Sequence, residues 1–251
     1  MHEQRFWDDQ AKLPGLRAVI DPNDLKSHKN TYLDCLHKTV LGRHGRFDRS
    51  SRVLDFGCGF GRITFWLAAQ VASVHATDAN RSMIERAGVE RRRRGSPNVC
   101  LTPYDGARLP FASSSFTRVT SVWVLQHIVD DIELSVVLAE IARVSRPQAR
   151  LLFIERTAET PVEPWLRPEL LKRRTVAAYR QAFAEHRLAV VRSGPIWDGG
   201  PTLGHRRLDR WILSGRLPEA VLPLIARLDV EVRKRRPSGD WSDHLFVCER
   251  R

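Results

Sequence analysis

One short stretch, Val53 to Arg62, constrains the fold of this chain more than any other part of the sequence. An apolar run over 52–56 is typical of a buried strand, glycines follow at positions 57, 59 and 61, and Ile63 to Ala69 has helical spacing. Glycine accepts positive φ angles and lets a ligand approach the backbone, while a helix start presents free N–H groups to an anion. A strand, a glycine loop and a helix in this order predict the nucleotide-binding unit of an α/β protein.

A second feature is an acid at the end of the next predicted strand. The segment 72–77 has strand character and ends in Asp78, which follows Gly57 by 21 residues. A ribose-binding carboxylate is expected about 20 residues after the first glycine of such a loop. The alternative is that Asp78 or Asn80 only caps the helix predicted over 82–89.

The glycine spacing, with Asp55 two residues ahead of Gly57, resembles motif I of the class I S-adenosylmethionine-dependent methyltransferases, D/E-x-G-x-G-x-G. A dinucleotide-binding loop would instead place its third glycine where Arg62 stands. Leu109-Pro110-Phe111 resembles the L-P-F segment of the small-molecule group that includes the ubiquinone and menaquinone enzymes, although Ser113–Thr117 departs from that group's acidic turn. The resemblance implies an α/β fold with a doubly wound, seven-stranded mixed sheet, with S-adenosylmethionine as cofactor and S-adenosylhomocysteine as product.

The same resemblance implies which residues contact the cofactor. The loop from Phe56 to Gly61 would contact the methionine part. Asp78 would accept hydrogen bonds from the ribose hydroxyls, and Asp105 with Gly106 would contact the adenine. Without the resemblance, Asp105-Gly106 would be an ordinary turn. The cofactor-contacting residues predicted in this way are Asp55, Phe56, Gly57, Cys58, Gly59, Gly61, Asp78, Ala79, Asp105, Gly106 and Trp123.

The end of the fourth predicted strand carries the candidate catalytic residue. Val119 to Leu125 has strand character and is followed closely by His127. Because an imidazole with an ordinary pKa of about 6.5 can take a proton from a hydroxyl or ammonium group near neutral pH, His127 is the candidate general base. The alternative is a histidine that caps the next helix or shapes the pocket. At the end of the fifth strand, Glu155 and Arg156 are expected to be solvated, with a substrate-orienting ion pair as the alternative.

Strand and helix patterns alternate from 50 to 156, which predicts parallel βαβ units. The strands are predicted near 52–56, 73–77, 98–102, 117–124 and 149–155. The helices of this part are predicted near 61–70, 81–93 and 131–145. Beyond residue 157, the pattern predicts a helix over Thr175–His186 and strands over 188–192 and 244–249.

The predicted core comprises residues 46–194 and 241–251, with two additions. Residues 1–45 would form an N-terminal helical cap that includes an amphipathic helix over 29–41. Residues 195–240 would form a helical insertion before the last strand, acting as a substrate lid or a homodimer surface. Candidates for lining the pocket, each of which packing alone would also explain, are Trp7, His28, Lys29, Asn30, Tyr32, Trp165, Tyr179, Trp197, His205 and Trp211.

The chain has 251 residues, a formal net charge of +12 and a sequence pI near 10.4. The arginine-rich runs at 91–94 and 233–236 are best explained as solvated helix surfaces, with nucleic-acid contact as the alternative. No apolar run approaches the roughly 18 residues of a membrane span, and the acidic start does not resemble a signal peptide, so we expect a cytoplasmic protein. The four cysteines form no C-x-x-C pair and predict neither a disulfide framework nor a zinc site.

Three functions fit these features. The favoured hypothesis is methylation of an oxygen or nitrogen atom on a small molecule, such as a sugar or secondary metabolite, with His127 as base. The alternative is methylation of RNA or another macromolecule held by the basic surface. The third is a non-catalytic partner that kept the fold. Trp123–Gln126 stands where amino-group DNA methyltransferases carry an Asn/Asp-Pro-Pro-Tyr/Phe motif, which argues against that class.

Overall fold

The computed structural model describes residues 2–106, 108–158, 169–197, 211–212, 214–233 and 241–251. Its strands are β1 Arg52–Phe56, β2 Ser73–Asp78, β3 Val99–Pro103, β4 Phe116–Val122, β5 Ser145–Ala158, β6 Arg174–Thr175, β7 Leu188–Trp197 and β8 Trp241–Arg250. Its α-helices are α1 His2–Ala11, α2 His28–Gly45, α3 Thr64–Ala68, α4 Arg81–Arg94, α5 Asp131–Val144, α6 Val176–Glu185 and α7 Leu222–Arg233. Short 3₁₀ turns cover Gly15–Ala18, Leu125–His127 and Glu219–Val221.

The strands form one mixed sheet in the order β3-β2-β1-β4-β5-β8-β7. The strands from β3 to β5 run parallel to one another, whereas β8 is antiparallel to both β5 and β7. The two-residue strand β6 pairs with the end of β5, off the main path. The predicted seven-stranded, doubly wound sheet is therefore confirmed, and β6 is a short addition to it.

The carboxyl ends of the central strands meet at one edge of the sheet. Phe56, the last residue of β1, is in register with Thr77 of β2 on one side and Ser121 of β4 on the other. The strand order reverses at β1, because β2 and β3 continue to one side and β4 to the other. In open α/β sheets, ligands bind in the crevice at such a switch point.

Both faces of the sheet are covered, as alternate residues of each central strand show. Val53 and Leu152 pack with Leu36 of α2 in one hydrophobic cluster. Their neighbours Leu54 and Leu151 pack on the opposite face, in the cluster that contains Leu134, Leu138 and Ile141 of α5. Because side chains alternate between the faces of a strand, strands buried on both sides must be apolar at nearly every position.

The observed elements lie close to the predicted ones, with two instructive differences. Helix α3 begins at Thr64 rather than near 61, because Gly61 has a φ of 96° and cannot belong to a right-handed helix. Strand β5 extends to Ala158 because it pairs with β8 from Arg150 to its end. That long pairing is not visible in the local pattern of either segment.

Helix α7 lies within the predicted insertion and packs against α2. The hydroxyl of Tyr32 donates to Asp229, and Arg43 forms an ion pair with Glu231. Residues 198–210, 213 and 234–240 of the insertion lie outside the described residues, so its role as a lid or dimer surface stays a prediction. No helix in the described part of the chain is long and apolar enough to cross a membrane.

Candidate active site

The glycine loop that follows β1 is shaped by close contacts within the protein. Gly57 has a φ of 71°, and a Cβ atom there would lie 2.3 Å from Cγ2 of Val124. The amides of Gly57 and Cys58 both donate to the carbonyl of Thr77, at 2.8 and 2.9 Å. The loop is thus tied to the end of β2 and pressed against the segment after β4. A side chain at position 57 would separate these elements.

A cavity of about 510 Å³ lies at this edge of the sheet. Ten of the predicted site residues line the wall of this cavity, namely Phe56, Gly57, Cys58, Gly59, Asp78, Ala79, Asp105, Gly106, Trp123 and His127. Asp55 and Gly61 are not among the residues that line it. The volume is within the range of about 300–1,000 Å³ typical of small-ligand sites.

Asp55 turns away from the cavity into the protein. Its Oδ2 accepts a 2.6 Å hydrogen bond from the Thr64 hydroxyl, and its Oδ1 accepts a 2.9 Å bond from the Thr120 hydroxyl. All three residues are buried. Burial raises the pKa of Asp55 to about 6, although both hydroxyl hydrogen bonds act in the opposite direction. The carboxyl group therefore links β1, α3 and β4.

Asp78 lies at the end of β2 and faces the cavity. Its Oδ2 accepts a 2.7 Å hydrogen bond from the Gly59 amide, and its Oδ1 accepts a 2.9 Å bond from the Asn80 amide. A carboxylate has about four acceptor sites, so these bonds leave capacity for further donors. Burial raises its pKa. Asn80, not Asp78, caps α4, because the Asn80 side chain accepts from the Met83 amide.

The far end of the cavity is formed by the segment after β3. The Tyr104 amide donates to the Asp78 carbonyl at 3.0 Å, which connects the two strand ends. Asp105 is exposed and accepts a 3.3 Å bond from the Arg108 amide. Gly106 has a φ of 88° and open space where a Cβ atom would stand. This end of the wall is accessible.

Three buried polar atoms belong to residues of the cavity wall and make no hydrogen bond within the described part of the chain. They are Oγ1 of Thr77, the hydroxyl of Tyr104 and Nε1 of Trp123. Buried polar groups are nearly always hydrogen-bonded in native proteins, so a polar ligand or an ordered water is the expected partner of these atoms. The cavity thus fits a nucleoside-containing molecule with several hydrogen-bonding groups.

Arg62 is a wall residue that the sequence did not identify as part of the site. Its guanidinium donates to Oδ1 of Asp34 at 3.2 Å and approaches Nδ1 of His37 at 3.3 Å. Both partners belong to α2, and the Arg62 side chain is almost fully buried. The only signal in the sequence is the position of Arg62 where a dinucleotide-binding loop would have its third glycine.

His127 lies at the end of the 3₁₀ turn after β4. Its Nδ1 is 2.8 Å from the Leu170 carbonyl. Because a carbonyl only accepts, Nδ1 carries the proton, and Nε2 is the acceptor of the neutral ring. Burial, together with the nearby charge of Arg156, lowers the pKa of His127 to about 4. The helix that follows is capped by Asp130, so His127 has no capping role.

Glu155 holds the turn that carries His127. Its carboxyl oxygens accept hydrogen bonds from the backbone amides of Val124, Leu125 and Gln126 at 3.0–3.2 Å. Glu155 is 0% exposed, so the expectation of a solvated strand end was wrong for this residue. The physical reason is the length of β5, which carries Glu155 into a register with His244 of β8. Burial raises the pKa of Glu155 to about 8.

Arg174 supports the same loop from the other side. Its guanidinium donates to the carbonyls of Leu125 and Ile128 at 3.2 and 2.7 Å, and to the Asp131 carboxylate. The Arg174 side chain is buried. Glu155 thus binds the backbone amides around His127 and Arg174 binds the carbonyls, and together they fix the turn.

A second cavity of about 410 Å³ adjoins the first. Four residues line both cavities, namely Trp7, Val19, Trp123 and His127. The second cavity has apolar walls from the N-terminal segment and from residues 170–171, and it also contains Arg156 and Arg173. His127 and Trp123 thus stand at the junction of two adjacent spaces.

Most of the other residues predicted to line the pocket lie elsewhere. Trp7 does line both cavities. The α2 residues line neither cavity, because hydrogen bonds tie them to neighbouring segments and to the insertion; these residues are His28, Lys29, Asn30 and Tyr32. Tyr179 is fully buried in the core, Trp197 packs against the core, and Trp211 is about half exposed. Trp165 and His205 lie outside the described residues.

Two of the four arginines in the first run pair with an acid on their own helix. Arg93 and Arg94 both bond to Glu90 of α4, and the Arg94 guanidinium also lies over the Phe65 ring. The second run continues beyond Arg233 outside the described residues. In the described ranges, no group of three or more His, Cys, Asp and Glu side chains is placed to hold a metal ion.

Comparison with known proteins gives a consistent result. A family model described as a methyltransferase domain matches residues 53–148. The chain is 32% identical over 192 residues to a demethylmenaquinone methyltransferase of Clavibacter sepedonicus, covering 74% of this chain and 73% of that protein. It is 34% identical over 106 residues to methyltransferase GfsG of Streptomyces halstedii, covering 41% and 37%. The chain spans less than half the length of several curated relatives that it matches.

Among solved structures, the fold is similar to geranyl diphosphate C-methyltransferase from Streptomyces coelicolor A3(2), solved with Mg²⁺, geranyl diphosphate and S-adenosylhomocysteine. The TM-score is 0.69, with 17% sequence identity over 100% of this chain and 97% of that one. At this identity the likeness concerns the fold.

Proposed function

We propose that this chain, which belongs to the class I S-adenosylmethionine-dependent methyltransferases, methylates an oxygen or nitrogen atom of a small molecule, such as a sugar or secondary metabolite. S-adenosylmethionine is its cofactor. The observation that carries the proposal is the position of His127, which stands where the two cavities meet. The first cavity would hold the cofactor and the second the methyl acceptor.

The wall of the first cavity suits the cofactor at several points. Asp78 would accept the ribose hydroxyls with the acceptor capacity that its two amide bonds leave. Asp105 and Gly106 would contact the adenine at the accessible end of the wall. The glycine loop would hold the methionine part, and the Arg62 guanidinium would face its carboxylate, because charge-assisted pairs are the stronger hydrogen bonds. When bound, the cofactor supplies a methyl group activated by its positively charged sulfur.

The second cavity suits a small acceptor. Its volume of about 410 Å³ matches a compact organic molecule, and His127 is one of the residues that line it. Trp7 and Trp123 line both spaces. Holding the acceptor between them would fix its nucleophilic atom next to the first cavity, and positioning alone contributes strongly to the rate of a transfer reaction.

His127 would take the acceptor's proton at Nε2. The Leu170 carbonyl fixes the tautomer that leaves Nε2 as the acceptor. With a pKa of about 4, the ring is unprotonated at physiological pH, so Nε2 has a lone pair, although the lowered pKa makes it a weaker base than an ordinary histidine. The Leu170 carbonyl also stabilises the protonated ring, since its hydrogen bond raises the His127 pKa against the effect of burial. A hydroxyl acceptor would lose its proton to Nε2 as its oxygen bonds to the methyl carbon and the bond from that carbon to sulfur breaks. An ammonium acceptor would lose its proton to Nε2 first, because its nitrogen needs a free lone pair to attack.

A methyl-transfer assay with tritiated S-adenosylmethionine tests the proposal. A panel of small alcohols, phenols, carboxylic acids and amines is offered beside a mixture of total RNA. The proposal expects labelled small-molecule product, and His127→Ala is expected to lower turnover by about 10²–10⁴-fold, the usual contribution of a general base. His186→Ala is the matched control, because His186 lines neither cavity.

Two outcomes would contradict parts of this proposal. If His127→Ala kept wild-type turnover and unchanged affinity for S-adenosylhomocysteine, His127 would be ruled out as the general base, while the proposal of methyl transfer would stand. Labelling of RNA alone, falling steeply with added salt, would favour a macromolecular acceptor instead.

A further inference from the structure

The second cavity differs from the first in charge. The described residues that line it include two arginines, Arg156 and Arg173, and no aspartate or glutamate. The first cavity, in contrast, is lined by Asp78, Asp105 and Glu133 and by one arginine, Arg62, which bonds to Asp34. The two adjacent spaces thus differ in the balance of acidic and basic side chains on their walls.

The rest of the second wall is predominantly apolar. Phe6, Trp7 and Ile20 line it from the N-terminal segment, and Leu170 and Leu171 line it from the segment before β6. Such walls favour an apolar molecule, because burying apolar surface contributes about 25 cal/mol per Å². The two guanidinium groups lie within this apolar surrounding, where an anion gains more from them than it would in water.

The two arginines share their surroundings. The Arg156 guanidinium lies 4.3 Å from the centre of the Trp123 ring and bonds to Oδ1 of Asp243 at 3.3 Å. Burial lowers the pKa of Arg173, and the charge of Arg156 lowers it further, while Asp243 opposes both effects. Asp21 is a second carboxylate that feels the Arg156 charge, and it is paired with Lys29. Because the two positively charged guanidinium groups repel each other, an anion bound beside them would stabilise both.

From these observations we propose that the methyl acceptor is an apolar molecule with an anionic group, a carboxylate or a phosphate, which Arg156 and Arg173 bind in the second cavity. This inference rests on the proposed function, since it names the substrate class of the same site. The anionic group binds at the arginines, and the apolar body fills the walls toward Trp7. The nucleophilic atom then lies on the His127 side, next to the first cavity.

The arrangement also links substrate binding to the base. The positive charge of Arg156 is one of the causes that lower the pKa of His127. An anion bound at Arg156 offsets that charge and raises the basicity of His127 when the substrate is in place. An uncharged acceptor of the same shape lacks this effect.

Calorimetric titration with three probes tests the proposal. Phenylbutanoate, phenylbutyl phosphate and the neutral phenylbutanamide share one apolar body and differ in the head group. Each is titrated with and without saturating S-adenosylhomocysteine. The anionic probes should bind at least about tenfold more tightly than the amide, because hydrogen bonds to charged groups are among the stronger ones. A further preference for the phosphate over the carboxylate identifies a phosphate as the natural head group, and the reverse identifies a carboxylate.

Variants locate the anion. Arg173→Gln and Arg156→Gln should each reduce the preference for the anionic probes by about tenfold, with amide binding unchanged. Lys172→Gln is the matched control, because it removes a neighbouring cation that pairs with Asp131 and lines neither cavity. Since the amide is measured on the wild type as well, the test does not depend on the folding of any variant.

The outcomes separate this inference from the proposed function. Equal affinity for the amide and the anionic probes would overturn the proposal of an anionic substrate, and so would a preference for the anionic probes that survives both arginine substitutions. Neither result would affect the assignment of the cofactor site. Failure of S-adenosylhomocysteine to bind the wild type would count against the proposed function, and the titrations without it would still decide the second cavity.

Discussion

Asp55→Asn is the substitution whose effect the structure defines most sharply. The Asp55 carboxyl is buried between the hydroxyls of Thr64 and Thr120, and it does not line the cofactor cavity. Hydroxyls rotate and can donate or accept, so an asparagine can accept from one threonine and donate to the other. The substitution should therefore keep the hydrogen bonds and remove only a buried ionisable group.

The expected change follows from the pKa. Burial raises the Asp55 pKa from 3.8 to about 6, so the folded protein keeps a proton that the unfolded chain releases between these values. Stability then falls as the pH rises through this window, and the loss is complete above about pH 6. Each pKa unit corresponds to about 1.4 kcal/mol, so the loss amounts to about 3 kcal/mol. The asparagine side chain of the variant does not titrate. Asp55→Asn should be more stable than the wild type by up to about 3 kcal/mol at about pH 8, with the difference disappearing toward about pH 4.

Urea unfolding of both proteins at several pH values measures the difference, and calorimetry measures the affinity for S-adenosylhomocysteine. We expect that affinity to change less than about threefold, which is under 1 kcal/mol. A stability difference that is the same at both ends of the pH range would refute the linkage. A tenfold or greater loss of affinity would show that Asp55 reaches the cofactor, as the family resemblance implied.

Three further predictions concern the loop and the base. In a pH–rate profile, wild-type turnover should show no inflection near pH 6.5 and should fall only as the pH approaches about 4, where His127 becomes protonated. An inflection near pH 6.5 would contradict the lowered pKa of His127. Gly57→Ala should weaken S-adenosylhomocysteine binding at least about tenfold, because the added Cβ would meet Val124. Gly95→Ala is the control: the space around Gly95 is open, so this substitution should cost only about 1 kcal/mol of stability. Glu155→Ala should lower kcat about tenfold or more with cofactor affinity unchanged, because the backbone amides of the His127 turn lose their acceptor. Equal effects on kcat and affinity would contradict a positioning role.

Much of the fold could be predicted because its signals are local. The alternation of strand and helix patterns, the glycines from 57 to 61 and the distance to Asp78 all lie within single βαβ units. Parallel strands bring their carboxyl ends to one edge, so residues that follow different strands could be placed together before the structure was known. The cavity lined by Asp78, Asp105 and His127 follows from that geometry.

The remaining features depend on contacts between distant segments. Glu155 is buried because β8 covers β5, and Arg62 is anchored by Asp34 of α2, which precedes it by 28 residues. Asp55 stands in the motif as expected, yet the direction of its side chain is set by hydroxyls on α3 and β4. Among the α2 residues predicted for the pocket mouth, Tyr32 bonds to Asp229 of α7 instead, and Lys29 and Asn30 bond to Asp21. No pattern within one segment contains such information.

The central claim is that the cavity at the carboxyl edge of the sheet binds S-adenosylmethionine through Asp78. Calorimetric titration of S-adenosylhomocysteine into the wild type and into Asp78→Ala tests it most directly. We expect micromolar binding to the wild type and a loss of at least about a hundredfold in the variant, because the substitution removes the carboxylate that would bind both ribose hydroxyls. Wild-type affinity in Asp78→Ala, or no binding to the wild type at all, would contradict the account.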